Sequence, residues 1–535
     1  MKTMINSIIL ASCLALPLAS CSDSDVAPEQ KDWSTTTYFY SADAAMQDTY
    51  YKPTVGYVGD PMPFFDPVAG DFKVLYLQDF RPNPEGTYHP IWGVSTKDAA
   101  HYTSLGELVS CGTKKSQDAA IGTGSTIYDE ASKLYYTFYT GNKYLPTGDE
   151  SAQAVMVATS SDFKTWTKDR TFLLKGQDFG YDKNDFRDPF VFKGDDGKFH
   201  MLVSTKKGGK GSLAEFVSDD LKNWTDNGVF MTMMWDRFYE CPDLFKMGDY
   251  WYLVYSEIHH AVRRVQYFKG RTLDELKACT ANDAGRWPDA HEGFLDSRGL
   301  YAGKTASDGT NRYLWGWCPT RSGKDNTAVG ASPAEPEWGG NLVCYKLIQH
   351  EDGTLTLGQV DAVSEKYNQD VAVEVKESQN MTEADGIYTL AGNAEQLDAY
   401  MLMGRLGNHN KISFTVTTSN EWDKFGISMV RGSDSKKYYT MVVNPENENN
   451  RKVNFEEQGV EGKGFIAGID GYVFARPADN VYNITIYTDN SICVMYINDV
   501  CSYTNRIYGI QKNCWSINSY NGANVKISNL KISQY

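Results

Sequence analysis

The stretch Phe186-Arg187-Asp188-Pro189-Phe190-Val191-Phe192 decides how the rest of the chain is read. Proline fixes a bend after Asp188, and an apolar aromatic run follows. Lys193-Gly194-Asp195-Asp196-Gly197 then closes the run with a tight turn. This is the pattern of a strand entered through a bend and left through a turn. An acid at such a strand start either turns the chain, as Asp-Pro commonly does, or serves as an active-site carboxylate. What separates the two readings is whether the arrangement recurs.

It does recur. Aromatic-rich strand candidates begin at residues 72, 134, 199, 251 and 313, so successive starts lie 62, 65, 52 and 62 residues apart. Two of these units share a tail, Ser161-Asp162-Phe163-Lys164-Thr165-Trp166 and Asp219-Asp220-Leu221-Lys222-Asn223-Trp224. Repeats of this length made of short strands predict propeller blades, here five of them over residues 50–360. Asp60 stands 12 residues before Phe72, Asp188 11 before Phe199, and Glu240 11 before Trp251. The innermost strands of a propeller converge on its axis. Three acids at one phase of three blades are therefore expected to meet at one end of the channel. The matching slots of the second and fifth units hold Gly122-Thr123-Gly124-Ser125 and Arg298-Gly299-Leu300-Tyr301, which read as sugar contacts.

The two ends of the chain differ in character from the repeats. Lys2 precedes an apolar run over residues 5–18, too short to span a bilayer. It ends Leu18-Ala19-Ser20-Cys21, which resembles a bacterial lipoprotein signal with Cys21 as the lipidated residue. Residues 1–21 are thus expected to be a signal peptide and 22–49 a tether and lead-in. The implied location is the outer membrane, facing the cell surface or the periplasm, with membrane contact only through that lipid. From about residue 361 to 535 the strands alternate with period two, as in 411–417 and 482–487, and 492–497 runs into a hairpin turn at Asn498-Asp499. That pattern predicts a C-terminal β-sandwich. The fold class is then all-β, a five-bladed propeller followed by a sandwich.

Composition narrows the partners. A net charge of −16 argues against nucleic acid. Aromatic residues make up 13% of the chain, which suits stacking surfaces for sugars. Eight cysteines beyond Cys13 and Cys21 are scattered with no close pairs, so a zinc site is not expected. Cys241 beside Glu240 reads as packing rather than as a thiol nucleophile.

The motifs together resemble glycoside hydrolase family 32, the family of invertases, levanases and inulinases. Arg187-Asp188-Pro189 and Glu240-Cys241-Pro242 are similar to its Arg-Asp-Pro and Glu-Cys-Pro motifs. Gly122-Thr123-Gly124-Ser125 is similar to its Phe-Ser-Gly-Ser, and Tyr139-Thr140-Gly141-Asn142 and Gln78 also have counterparts. The first motif departs. Where the family has Trp-Met-Asn-Asp-Pro-Asn, this chain has Tyr57-Val58-Gly59-Asp60-Pro61-Met62 and lacks both Asn.

The resemblance implies a retaining β-fructosidase acting on an oligo- or polysaccharide, with no metal or cofactor. It implies Asp60 as nucleophile, Glu240 as acid/base, and Asp188 holding sugar hydroxyls and steadying the transition state. Gln78, Trp92, Thr123, Arg187 and Trp317 are expected to contact substrate, and Trp338 is a further stacking candidate. A retaining pair of carboxyls would lie about 5–5.5 Å apart and an inverting pair about 6.5–9.5 Å. Two alternatives remain open at this point, an inverting arabinosidase or xylosidase resembling family 43, and a non-catalytic sugar-binding lipoprotein.

Overall fold

The computed structural model describes residues 49–80, 88–233, 238–257, 264–279, 292–321, 336–431, 438–445, 451–458, 472–473, 476–507 and 510–535. Cys21 and the tether lie outside the described residues. Among those described, no helix is long and apolar enough to cross a membrane.

Five antiparallel sheets follow one another along the chain. Their innermost strands are Tyr57–Asp66, Ala120–Asp129, Phe186–Lys193, Glu240–Met247 and Tyr301–Ser307. Each pairs with an aromatic-rich second strand: Asp71–Asp79, Leu134–Asn142, Phe199–Lys207, Tyr250–Glu257 or Arg312–Arg321. These are the five repeats expected from the sequence. Second strands are buried on both faces, because each blade packs against its neighbours. Asp71–Asp79, for example, is buried at every position but the first. Hence they read as continuous apolar runs rather than as alternating ones. The sandwich strand His409–Thr418 alternates between buried and half-buried residues throughout, as a strand with a single core face must. Its sheet pairs it with Val481–Asp489 and Asn524–Gln534. The facing sheet contains Ala399–Arg405, Cys514–Tyr520 and Lys424–Arg431. Met401, Phe414, Ile427, Ile484, Trp515 and Ile517 fill the space between them. At the predicted hairpin, Asn498 and Asp499 both take positive φ, as a primed turn requires.

All five inner strands carry an irregularity at the same step. Asp60 and Pro61 together face Tyr76, because Gly59 pairs with Leu77 and Met62 with Leu75. The same two-against-one bulge holds Asp188-Pro189, Cys241-Pro242 and Ala302-Gly303, and Thr123 is the extra residue in the second blade. Asp188, Cys241 and Ala302 adopt φ of 57°, 52° and 53°. Such backbone costs about 1–3 kcal/mol per residue and persists only where surrounding packing enforces it.

The bulges correct one sequence expectation. Pro61, Pro189 and Pro242 share a register, so Asp60, Asp188 and Cys241 share a phase. Glu240 lies one residue earlier, level with Arg187 and Tyr301. Counting back from the second strands hid this, since the connecting hairpins differ in length: 66 to 71, 193 to 199 and 247 to 250.

Each blade is contiguous in sequence, and the ring closes between the fifth and the first. There a single residue pair, Val58 with Gly340, joins the two sheets. The lead-in supplements it: Tyr51 O accepts from Leu342 N, and Tyr50 O accepts from Asn341 Nδ2. The backbone amides of Thr49 and Tyr50 in turn donate to Asp489 of the sandwich.

Candidate active site

The shared bulge turns five strand starts toward one end of the axis, and their side chains form two tiers. The lower tier contains Asp60, Thr123, Asp188 and Cys241. Thr123 Oγ1 donates to Asp60 Oδ2 at 2.7 Å, and Trp317 Nε1 donates to Asp60 Oδ1 at 2.9 Å. Both carboxyl oxygens of Asp60 are thus fixed by neutral donors. The amide of Cys241 donates to Asp188 Oδ2 at 3.0 Å, and the amide of Asp188 donates to Thr140 Oγ1 at 2.8 Å. The upper tier contains Glu240, Arg187 and Tyr301. Arg187 Nη2 reaches Glu240 Oε1 at 3.0 Å, and the Tyr301 hydroxyl donates to Glu240 Oε2 at 2.5 Å. Arg187 is itself set by Asp185 at 2.7 Å and by the ring of Phe238, 3.8 Å from the guanidinium carbon to the centroid.

The electrostatics follow from enclosure. Burial pushes Asp60 above the usual carboxylate range, opposed by its hydrogen bonds from Thr123 and Trp317 and reinforced by the nearby charge of Glu240. Burial also pushes Asp188 up to about 6; Arg187 opposes the shift, while Glu240 and Asp60 add to it. The Cys241 thiol is pushed well above its ordinary value by burial and by the three acids. A thiol so placed is not a thiolate nucleophile, in keeping with its reading as packing. The eight described cysteines are all free thiols.

The five expected substrate contacts fall into different places. Arg187 reaches the site. Thr123 and Trp317 reach it too, but they are 2% and 0% exposed and hold Asp60 rather than offering a surface to sugar. Gln78 is fully buried, with Nε2 donating to Val55 O. Trp92 packs edge-on against Phe80 in a small apolar cluster with Val55. Gln78 and Trp317 lie on second strands and Trp92 on a third, and these strands are packed between neighbouring blades.

Trp338 is partly exposed, stacks on His89 at 4.1 Å and lies 6.1 Å from Trp317. Its ring comes within 2.2 Å of where a Cβ on Gly59 would sit. The glycine at position 59 of the altered first motif thus has a steric counterpart: an indole occupies the space that a side chain there would need. Tyr301, read from the sequence within Arg298-Gly299-Leu300-Tyr301 as a sugar contact, instead bonds Glu240. The signal for that was its place in the fifth repeat, in the slot matching Glu240.

Comparison with known proteins accords with this geometry. The profile of the glycosyl hydrolases family 32 N-terminal domain matches residues 50–360. The chain belongs to glycoside hydrolase family 32. A second profile, "GH32, BT1760-like, C-terminal domain", matches residues 353–532, so the family 43 alternative falls away. An insoluble β-fructofuranosidase isoenzyme of Arabidopsis thaliana is 26% identical over 310 residues, covering 52% of this chain and 50% of that protein. A sucrose-6-phosphate hydrolase of Vibrio alginolyticus is 26% identical over 240 residues, covering 42% and 45%. The chain thus spans about half the length of the curated relatives it matches. Among solved structures, fructan 1-exohydrolase IIa of Cichorium intybus superposes with a TM-score of 0.69 at 16% identity, over 91% of this chain and 97% of that one. An Aspergillus kawachii β-fructofuranosidase does so at 0.67 and 16%, over 97% and 98%. These superpositions establish the propeller-plus-sandwich fold.

Proposed function

We propose that this member of family 32 hydrolyses β-fructosidic bonds of sucrose-type or fructan substrates with retention of configuration. The observation that carries the reading is the pair of differently held carboxyls. Asp60 is gripped on both oxygens by neutral donors at the pocket floor. Glu240 sits one tier above, between a cation and a phenol. Glycoside hydrolysis needs this division, one carboxylate to attack and one carboxylic acid to donate.

In the first step Asp60 Oδ attacks the anomeric carbon while a protonated Glu240 gives its proton to the departing glycosidic oxygen. The bond to the leaving sugar breaks, and a fructosyl ester on Asp60 forms. In the second step Glu240 takes a proton from water, the water oxygen attacks the anomeric carbon, and the ester opens to free fructose and Asp60 carboxylate. Asp188, ionised, steadies the positive charge that develops on the ring in both steps. Arg187 and Tyr301 keep Glu240 aimed at the oxygen it must protonate. The rival of a sugar-binding protein without catalysis has no need for two tiers of fixed acids.

Product analysis on sucrose, inulin and levan, with Glu240→Ala as control, tests this. Release of fructose or fructo-oligosaccharides, lost in the variant, is the expected result. Absence of products from all three with a folded protein overturns it. The lipid anchor at Cys21 belongs to the same proposal, supported by Leu18-Ala19-Ser20-Cys21. Palmitate labelling that persists in Cys21→Ser would overturn that part.

A further inference from the structure

One charge on the propeller axis is left unused by this mechanism. Lys304 follows Tyr301 by three residues on the fifth inner strand, directly past the bulge, and is 2% exposed. Its Nζ donates to Gly124 O of the second blade at 2.8 Å and stands 5.2 Å from the Phe190 ring centroid of the third. A side chain rooted in blade five that touches blades two and three must cross the axis. Gly124 adjoins Thr123, which holds Asp60, and Phe190 is two residues past Asp188. The ammonium therefore lies beneath the floor of the carboxylate pocket.

The titratable groups facing it come from blades one, three and four: Asp60 from the first, Asp188 from the third, and Cys241 and Asp243 from the fourth. Arg187 and Glu240 act in turn on Asp188. Asp243 is 2% exposed, accepts from the amide of Thr305 at 2.6 Å, and is also faced by Arg312. Tyr301 shares the strand with Lys304. Burial lowers the proton affinity of Lys304, and the field of Asp243, Asp188 and Asp60 works against that loss. With a neutral amine here, Asp188 would be left with Arg187 and Asp243 with Arg312 as the cations acting on them among the described residues, an expensive imbalance away from water.

We propose that Lys304 is a positioning residue for the reaction: its ammonium, set on the axis below Asp60 and Asp188, holds that pair ionised at the pH at which Glu240 must carry a proton. The proposal rests on the reading of Asp60 as nucleophile. Lys304 touches no substrate and acts only through the field it places under the two acids. A positive charge placed beneath the two acids favours their ionised forms.

The test is the pH profile of kcat/KM in the full chain with Lys304→Met, Lys304→Gln and Lys304→Arg, beside Asp60→Asn. Gln keeps a donor for Gly124 O without the charge, and Arg keeps the charge. The acidic limb is expected to move up by about one pH unit in both neutral variants and to stay close to wild type in Arg, with the plateau KM within about twofold. A limb unmoved in Met and Gln overturns the proposal. So does loss of the fold in both neutral variants while Arg folds, which would mark a purely structural lysine. Should Asp60→Asn retain activity, the nucleophile assignment fails on its own account, whatever the Lys304 variants do.

Discussion

Asp188 stands at the mouth of the propeller channel and Asp296 at the junction with the sandwich; both are buried and both are pushed above the usual carboxylate range by that burial. Their surroundings differ. Asp296 accepts from the amides of Ser297 and Thr504 and from the hydroxyls of Ser502 and Thr504, at 2.5 to 2.8 Å. Every lone pair it can use is engaged, and three of the four donors come from the sandwich strand Cys501–Arg506. Among the described residues, Asp188 has one amide donor and the nearby charge of Arg187, and it sits on strained backbone. A fully satisfied carboxylate rivets two domains together. One left short of partners, on an axis where other acids converge, is poised to take its remaining hydrogen bonds from a substrate.

This contrast can be broken or sharpened by substitution. The largest effects belong to the pocket. Asp60→Asn and Glu240→Gln should each lower kcat by about 10⁴-fold or more, with thermal melting little changed. Asp188→Asn should lower kcat/KM by about 10³-fold, again with the fold intact, measured on whichever fructan is turned over. Asp296→Ala should act in reverse. It leaves four buried donors without their acceptor and should cost about 3 kcal/mol of stability by denaturant unfolding, with kcat/KM near wild type at temperatures where the fold survives.

The pH dependence carries the next effect. Asp188 works ionised and titrates at about 6, so kcat/KM should fall as pH drops through that value, about tenfold per unit below it; Asp296, having no part in turnover, should leave no mark on that limb. The smallest effect is expected from Thr123→Val, which removes one of the two donors to Asp60 and should cost about tenfold in kcat with KM nearly constant. A Thr123 variant as damaging as Asp60→Asn would mean that the hydroxyl meets the sugar itself.

The repeats were legible because blade packing buries both faces of each second strand and leaves an aromatic run at a regular spacing. The acids were legible because bulged strand starts favour Xaa-Pro, and proline marks them. The phase of Glu240 was not, since hairpin length varies between blades and only strand pairing reveals the bulge. Nor could the sequence say that Thr123 and Trp317 serve Asp60 from buried positions, as a residue's repeat number does not tell which way it faces. Lys304 and Asp296 carried no motif. Lys304 meets Gly124 across 180 residues, and Asp296 meets Ser502 and Thr504 across 206 and 208, separations no local pattern encodes.

The seam between the fifth and first blades has a consequence for how the chain folds. One strand pair holds the two sheets together there, Trp317 of the fifth blade bonds Asp60 of the first, and the lead-in that supplements them is itself tied to Asp489 of the sandwich. Arg506 bonds the carbonyls of Cys318 and Pro319 and the side chain of Asn341, all in the fifth blade. The lead-in that helps to close the ring thus gains its full anchorage only when the last third of the polypeptide has arrived. Propeller and sandwich should therefore melt as one cooperative unit, and catalytic competence should appear late, after synthesis of the C-terminal strands.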